Sequence, residues 1–177
     1  MTDKATESML TDRITTHNNG TEPAHSDTEV MTAVRLVILS GERLRQRLAA
    51  ELGIGISEIL ALGHLFHDGE LTPRDLSDRL NLSSGTMTAL VDRLEESGLA
   101  ARAPNPTDRR SQLVSISKSG SEAMEGVYAR FDLSAQQAID GLTSPARGEF
   151  ITLITEIAAE MDKFARSDDA EMDTFVD

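Results

Sequence analysis

Apolar residues recur at steps of three and four over two long stretches, one near each end of the chain. Val30, Val34, Val37, Gly41, Leu44, Leu48 and Leu52 form the first stripe, and Phe150, Leu153, Ile154, Ile157, Met161 and Phe164 form the last. That period predicts amphipathic helices. The first begins at about Thr28 and ends at Gly53 and Gly55, and Ser144-Pro145 opens the last. Between them the pattern breaks into shorter units. Ser57 is placed to cap a second helix with Ile59, Leu60, Leu62, Leu65 and Phe66 inward, stopped by Asp68-Gly69. Thr72-Pro73 announces a third, as an N-cap followed by Pro at the first helical position. Leu76 and Leu80 face inward there, and Asn81-Leu82 is a turn. Ser83 or Ser84 caps a fourth helix, with Met87, Leu90, Val91 and Leu94 inward and Gly98 as its stop. Leu99–Ala103 reads as a strand, Pro104, Asn105 and Pro106 as a projecting loop, and Leu113, Val114 and Ile116 as the returning strand. A fifth helix carries Met124, Val127, Tyr128, Phe131 and Ala135.

The order over Leu71–Gly120 is helix, tight turn, helix, strand, Arg-containing loop, strand. The expected fold is mainly α with a small β-ribbon wing: a winged helix-turn-helix over residues 56–118, flanked by N- and C-terminal dimerisation helices at 28–54 and 119–166. Together these make one domain over 28–166. Residues 1–27 are polar, without apolar periodicity, and are expected to be a disordered arm; 167–177 are expected to be an acidic tail. A reading module of about 50 residues cannot cover both long stripes, so the end helices are expected to pack on each other and on a second copy of the chain.

Composition narrows the function. The absence of cysteine excludes a disulfide framework, a thiolate metal site and a thiol redox switch. No signal-peptide core or membrane-length apolar run is present, so a cytoplasmic protein without membrane contact is expected. No nucleophile–base pair, phosphate loop or metal cluster stands at recognisable spacing, so no enzyme and no cofactor are expected. His64 and His67, with Asp68 and Glu70 beyond, read as ordinary helix histidines, and no metal site is expected. The net charge of −13 looks adverse to a polyanion partner, but Leu71–Gly120 holds seven basic and six acidic residues. That segment is +1 and the remainder −14. The acidic surplus, which favours solubility, therefore lies outside the candidate reading module.

A helix end that enters the major groove needs small polar residues, so that the backbone N–H groups approach the phosphates. Ser83, Ser84, Gly85, Thr86 and Thr88 meet that need, and Ala89 could touch a thymine methyl. Arg93 is long enough for a phosphate or for a salt bridge to a neighbouring acid. In the loop 104–110, Asp108 is expected to hold the guanidinium of Arg110, and Arg109 to reach the minor groove. The candidate DNA-binding set is Ser83, Ser84, Gly85, Thr86, Thr88, Ala89, Arg93, Arg109 and Arg110, with Asp108 as a structural residue of the wing.

These motifs resemble the MarR (multiple antibiotic resistance regulator) family. Its wing signature, Asp-x-Arg, five residues, Leu-Thr, two residues, Gly, is similar to Asp108-Arg109-Arg110, Ser111–Ser115, Ile116-Ser117, Lys118-Ser119, Gly120. The segment Gly85–Leu99, GTMTALVDRLEESGL, resembles the family's recognition helix, with Ala89 standing where many members carry Arg. The likeness spans roughly 30–166. It implies a homodimeric transcriptional regulator, usually a repressor, on a pseudo-palindromic double-stranded operator with half-sites about 10 base pairs apart. It also implies release by a small-molecule effector, in a crevice between the dimerisation helices and the DNA-binding lobe. The alternative is a non-DNA-binding interaction protein that retains the winged-helix fold.

Overall fold

A computed structural model describes residues 25–108 and 110–166. The arm expected over 1–27 lies outside the described residues as far as residue 24, as do Arg109 and the tail at 167–177. The elements are α1 (Asp27–Leu52), α2 (Ile56–Asp68), α3 (Pro73–Leu80), α4 (Ser84–Glu96), β1 (Ala100–Pro104), β2 (Gln112–Ile116), α5 (Lys118–Asp140) and α6 (Ser144–Arg166). Contacts divide the chain into two units at Arg43/Leu44. The described part of the first is the N-terminal part of α1. Ser26 and Glu29 form a reciprocal cap there: the Ser26 N–H donates to the Glu29 carboxylate (2.9 Å) and the Glu29 N–H to the Ser26 hydroxyl (3.3 Å).

In the second unit each short helix starts on a specific hydrogen bond. Thr72 caps α3: its Oγ1 accepts from the Asp75 N–H at 3.1 Å, while Asp75 Oδ2 accepts from the Thr72 N–H at 3.0 Å. Asn81 ends α3 in the left-handed conformation (φ 50°). Ser83, not Ser84, caps α4. The cap expected at Ser57 is not used. α2 opens after Gly55, and the Glu58 carboxylate accepts the Gly55 N–H instead, so Ser57 falls inside the first turn. α6 likewise opens after Thr143, whose carbonyl accepts the Arg147 N–H.

The core of this unit is built from one face of each short helix. Ile59, Ala61, Leu62 and Leu65 of α2, Leu76 of α3, and Met87, Leu90, Val91 and Leu94 of α4 are buried together. They join Leu48 and Ala49 of α1, Ala100 and Val114 of the ribbon, and Met124 and Val127 of α5. β1 and β2 pair antiparallel from Ala100↔Ile116 to Pro104↔Gln112. Pro104, read from sequence as loop, is thus the last residue of β1, where the missing N–H costs nothing to an outer edge. Leu71 adds a single bridge to Val114, with N–H···O bonds of 3.0 and 2.8 Å, which seats the ribbon on the α2–α3 turn. A two-strand ribbon needs such support.

Candidate nucleic-acid interface

Burial divides α4 into two faces. Met87, Leu90, Val91 and Leu94 are buried, whereas Ser84, Gly85, Thr86, Thr88, Ala89, Asp92 and Arg93 are exposed, as is the cap Ser83. The outward side chains of the first two turns are small. Ser83 Oγ accepts from the Thr86 N–H at 3.3 Å and lies 2.8 Å from Thr86 Oγ1. Thr88 Oγ1 donates back to the Ser84 carbonyl at 2.9 Å, which keeps its methyl and hydroxyl close to the helix wall. The helix end is therefore low in profile, with the positive pole of the dipole at Ser83–Thr86.

Arg93, on the exposed side of the third turn, is engaged by a carboxylate of α2 that was not singled out from sequence. Its Nε donates to Glu58 Oε1 of α2, and the Glu58 side chain is 8% exposed against 55% for Arg93. Arg102 of β1 was also missed. Its guanidinium, 18% exposed, pairs with Asp92 (2.7 Å) and Glu95 of α4 and donates to the Thr88 carbonyl at 3.2 Å. The Arg102 N–H donates to Glu95 at 2.8 Å. This network fastens the wing to α4. Its signal in sequence is an acidic i, i+3 pair, Asp92 and Glu95, followed by a lone basic residue in the next strand.

The wing is shaped by local polar bonds. Asn105 Oδ1 accepts from the Thr107 N–H (3.0 Å) and hydroxyl (2.8 Å), and Asn105 Nδ2 donates to Ser111 Oγ at 2.9 Å. Asp108 Oδ1 accepts the backbone N–H of Arg110 at 2.9 Å. The expected bidentate grip of Asp108 on the Arg110 guanidinium is thus replaced by a turn of the Asx type, which short Asp side chains form with a residue two positions on. The Arg110 side chain is exposed and, with Arg74, Thr72, Asn105, Asp108 and Gln112, lines an open cleft of about 800 Å³ between the start of α3 and the wing. Arg74 was not singled out from sequence. Arg109 lies outside the described residues.

The two histidines of α2 have separate partners. His64 Nδ1 lies 3.5 Å from Asp68, which also pairs with Arg79 of α3. His67 Nε2 lies 2.7 Å from Tyr128 Oη of α5. Burial pushes the Tyr128 phenol above its ordinary value, with Arg45 opposing.

A capped helix with a small polar outer face, braced to a two-strand ribbon, is the winged helix-turn-helix geometry. The sequence model of the MarR family matches residues 52–111, from the end of α1 into the wing. The HTH-type transcriptional regulator MhqR of Bacillus subtilis is 30% identical over 105 residues, covering 59% of this chain and 70% of MhqR. The chain belongs to the MarR family. It is a MarR-family transcriptional regulator and not an enzyme. Two solved structures show the same MarR fold. The S. aureus MepR–DNA complex aligns with a TM-score of 0.52 at 18% identity, covering 71% of this chain and 98% of that one. NadR in complex with 4-hydroxyphenylacetate aligns with a TM-score of 0.59 at 17% identity, covering 81% and 97%. No single helix among the described residues is long and apolar enough to cross a membrane.

Proposed function

We propose that this MarR-family chain is a sequence-specific DNA-binding regulator that acts as a homodimeric repressor and is released by a small ligand. The observation that carries the DNA reading is the exposed, low-profile end of α4 at Ser83–Ala89. It presents hydroxyls, a thymine-compatible methyl and unencumbered backbone to a major groove. Arg110 and Arg74, which line one cleft between the start of α3 and the wing, supply phosphate contacts, and Arg109, next in sequence to Arg110, enters the minor groove. MepR, solved on DNA, supports this role for the fold.

Dimerisation is supported by apolar surface that water does not favour. Val30, Met31, Val37, Ile38 and Leu39 are exposed in the first unit, and Phe150, Ile151, Leu153 and Met161 are exposed on α6 in the second. Runs of this kind on helices with the heptad-like stripes described above suit a second copy of the chain. NadR, solved with an aromatic carboxylate, supports a small ligand as the releasing signal. The ligand must prefer the arrangement whose recognition helices are misspaced, because its effect cannot exceed that preference.

The test is a mobility shift with the full chain and the DNA upstream of its own coding region. Specific retardation at low salt, weakened by Arg109→Ala, is expected. No retardation at low salt would remove the DNA reading and leave an interaction protein that keeps the winged-helix fold.

A further inference from the structure

α4 is seated mainly by Met87, Leu90, Val91 and Leu94, all fully buried. Apolar contact is non-directional and does not by itself fix how far a helix is rotated or slid. A hydrogen-bonded ion pair is directional. One such pair crosses from α4 to α2. Arg93, one turn behind Ala89 on the same side of the helix, donates through Nε to Glu58 Oε1. The other oxygen of that carboxylate, Oε2, accepts the Gly55 N–H at the start of α2. Glu58 is the one charged side chain in the buried set among the described residues, so its two oxygens are both committed: one to the first turn of α2, the other to the third turn of α4. Removing either partner leaves a buried polar group unsatisfied.

We infer that Glu58 is a positioning residue for the recognition helix, and that Arg93 serves DNA binding through this carboxylate and not as a phosphate contact. The inference rests on the DNA-binding reading above. A guanidinium already neutralised by Glu58 displaces no counterion from DNA, so it adds nothing to the salt dependence of binding, whereas each phosphate contact adds about 0.9 to the slope of log K against log salt.

The experiment measures operator affinity of the full chain between about 50 and 200 mM salt, together with amide exchange over Ser84–Glu96 in the free protein. Four variants are compared with wild type: Glu58→Gln, Arg93→Gln, the two combined, and Gly55→Ala. The last keeps both charges but places a Cβ 2.9 Å from Glu58 Oε2, so the end of the Glu58 side chain must shift from the position that bonds the Gly55 N–H. It keeps the test decisive if loss of a charge unfolds the domain. Each single variant is expected to weaken binding by about tenfold, the scale of one lost charge-assisted bond, with the salt slope unchanged. The double variant is expected to be no weaker than the singles, and exchange in α4 to be faster in all four. Wild-type affinity and exchange in Glu58→Gln and Gly55→Ala would overturn the inference, as would a slope flattened by about 0.9 per subunit in Arg93→Gln. If the wild type binds no DNA, the functional reading fails separately. Exchange then decides alone: faster exchange upholds the tether and unchanged exchange overturns it.

Discussion

Two glycines in the matched segments are glycine for opposite reasons. At Gly120, where the wing signature ends and α5 begins, a Cβ would overlap the Leu99 carbonyl oxygen and come within 2.7 Å of Ile116 Cγ1. The residue lets α5 start flush against the ribbon, where the Ser117 hydroxyl accepts the Gly120 N–H at 3.0 Å and donates to the Gly98 carbonyl at 2.6 Å. At Gly85, in the first turn of α4, nothing lies within 4 Å of a Cβ. The protein itself does not require glycine there, and in a helix glycine costs about 1 kcal/mol relative to alanine. What it leaves is room for another molecule's backbone. Urea denaturation is expected to show Gly120→Ala destabilised by about 3 kcal/mol through overpacking. Gly85→Ala is expected to be at least as stable as wild type yet weaker on operator DNA. A Gly85→Ala protein with undiminished binding would mean that no DNA approaches that turn. Gly120 was legible as a motif position but not as a steric one, because the carbonyl it must clear is 21 residues earlier in the chain.

At the level of elements, helical periodicity and some caps were legible, although the Gly55–Glu58 cap that opens α2 was not. The Thr72 cap at the head of α3 is an example of a legible one, and its reciprocal pairing with Asp75 in the structure carries a pH signature. Thr72, through its hydroxyl first and its backbone N–H second, holds the Asp75 carboxyl below its ordinary value. A depressed carboxyl contributes stability above its unfolded value, about 3.9, and loses it as pH falls through the folded value. Thr72→Val should therefore destabilise the protein by about 1 kcal/mol at neutral pH, with a gap to wild type that narrows below about pH 4. Denaturation at both pH values checks this, and a gap that is constant or widens in acid would contradict it. What sequence did not reveal are the bonds between elements. Glu58–Arg93 spans 35 residues and Arg102 reaches back 7 to 14, while Leu71 pairs with Val114 across the whole reading head. No local pattern encodes those distances; they exist only once the helices have packed. Asp108 failed differently: the residue was singled out for the wing, but its short side chain reaches the nearer backbone N–H of Arg110 before the guanidinium.

For the whole molecule, charge is unevenly distributed along the chain in a way that suits a regulator of DNA. The reading segment is nearly neutral, and three of its arginines, Arg79, Arg93 and Arg102, are engaged by carboxylates. Arg74 and Arg110 line the cleft between the start of α3 and the wing, and the surplus acid lies outside the reading segment. Affinity should then come from a few phosphate contacts on each of two heads, and specificity from the small face of α4 and from the spacing between the heads. The central claim is this paired reading of one operator. Hydroxyl-radical footprinting of genomic fragments selected by the purified full chain tests it most directly. The expected result is two protected half-sites centred about 10 base pairs apart, one helical turn, related by a pseudo-twofold axis. A single protected half-site, or no protection at low salt, would contradict it.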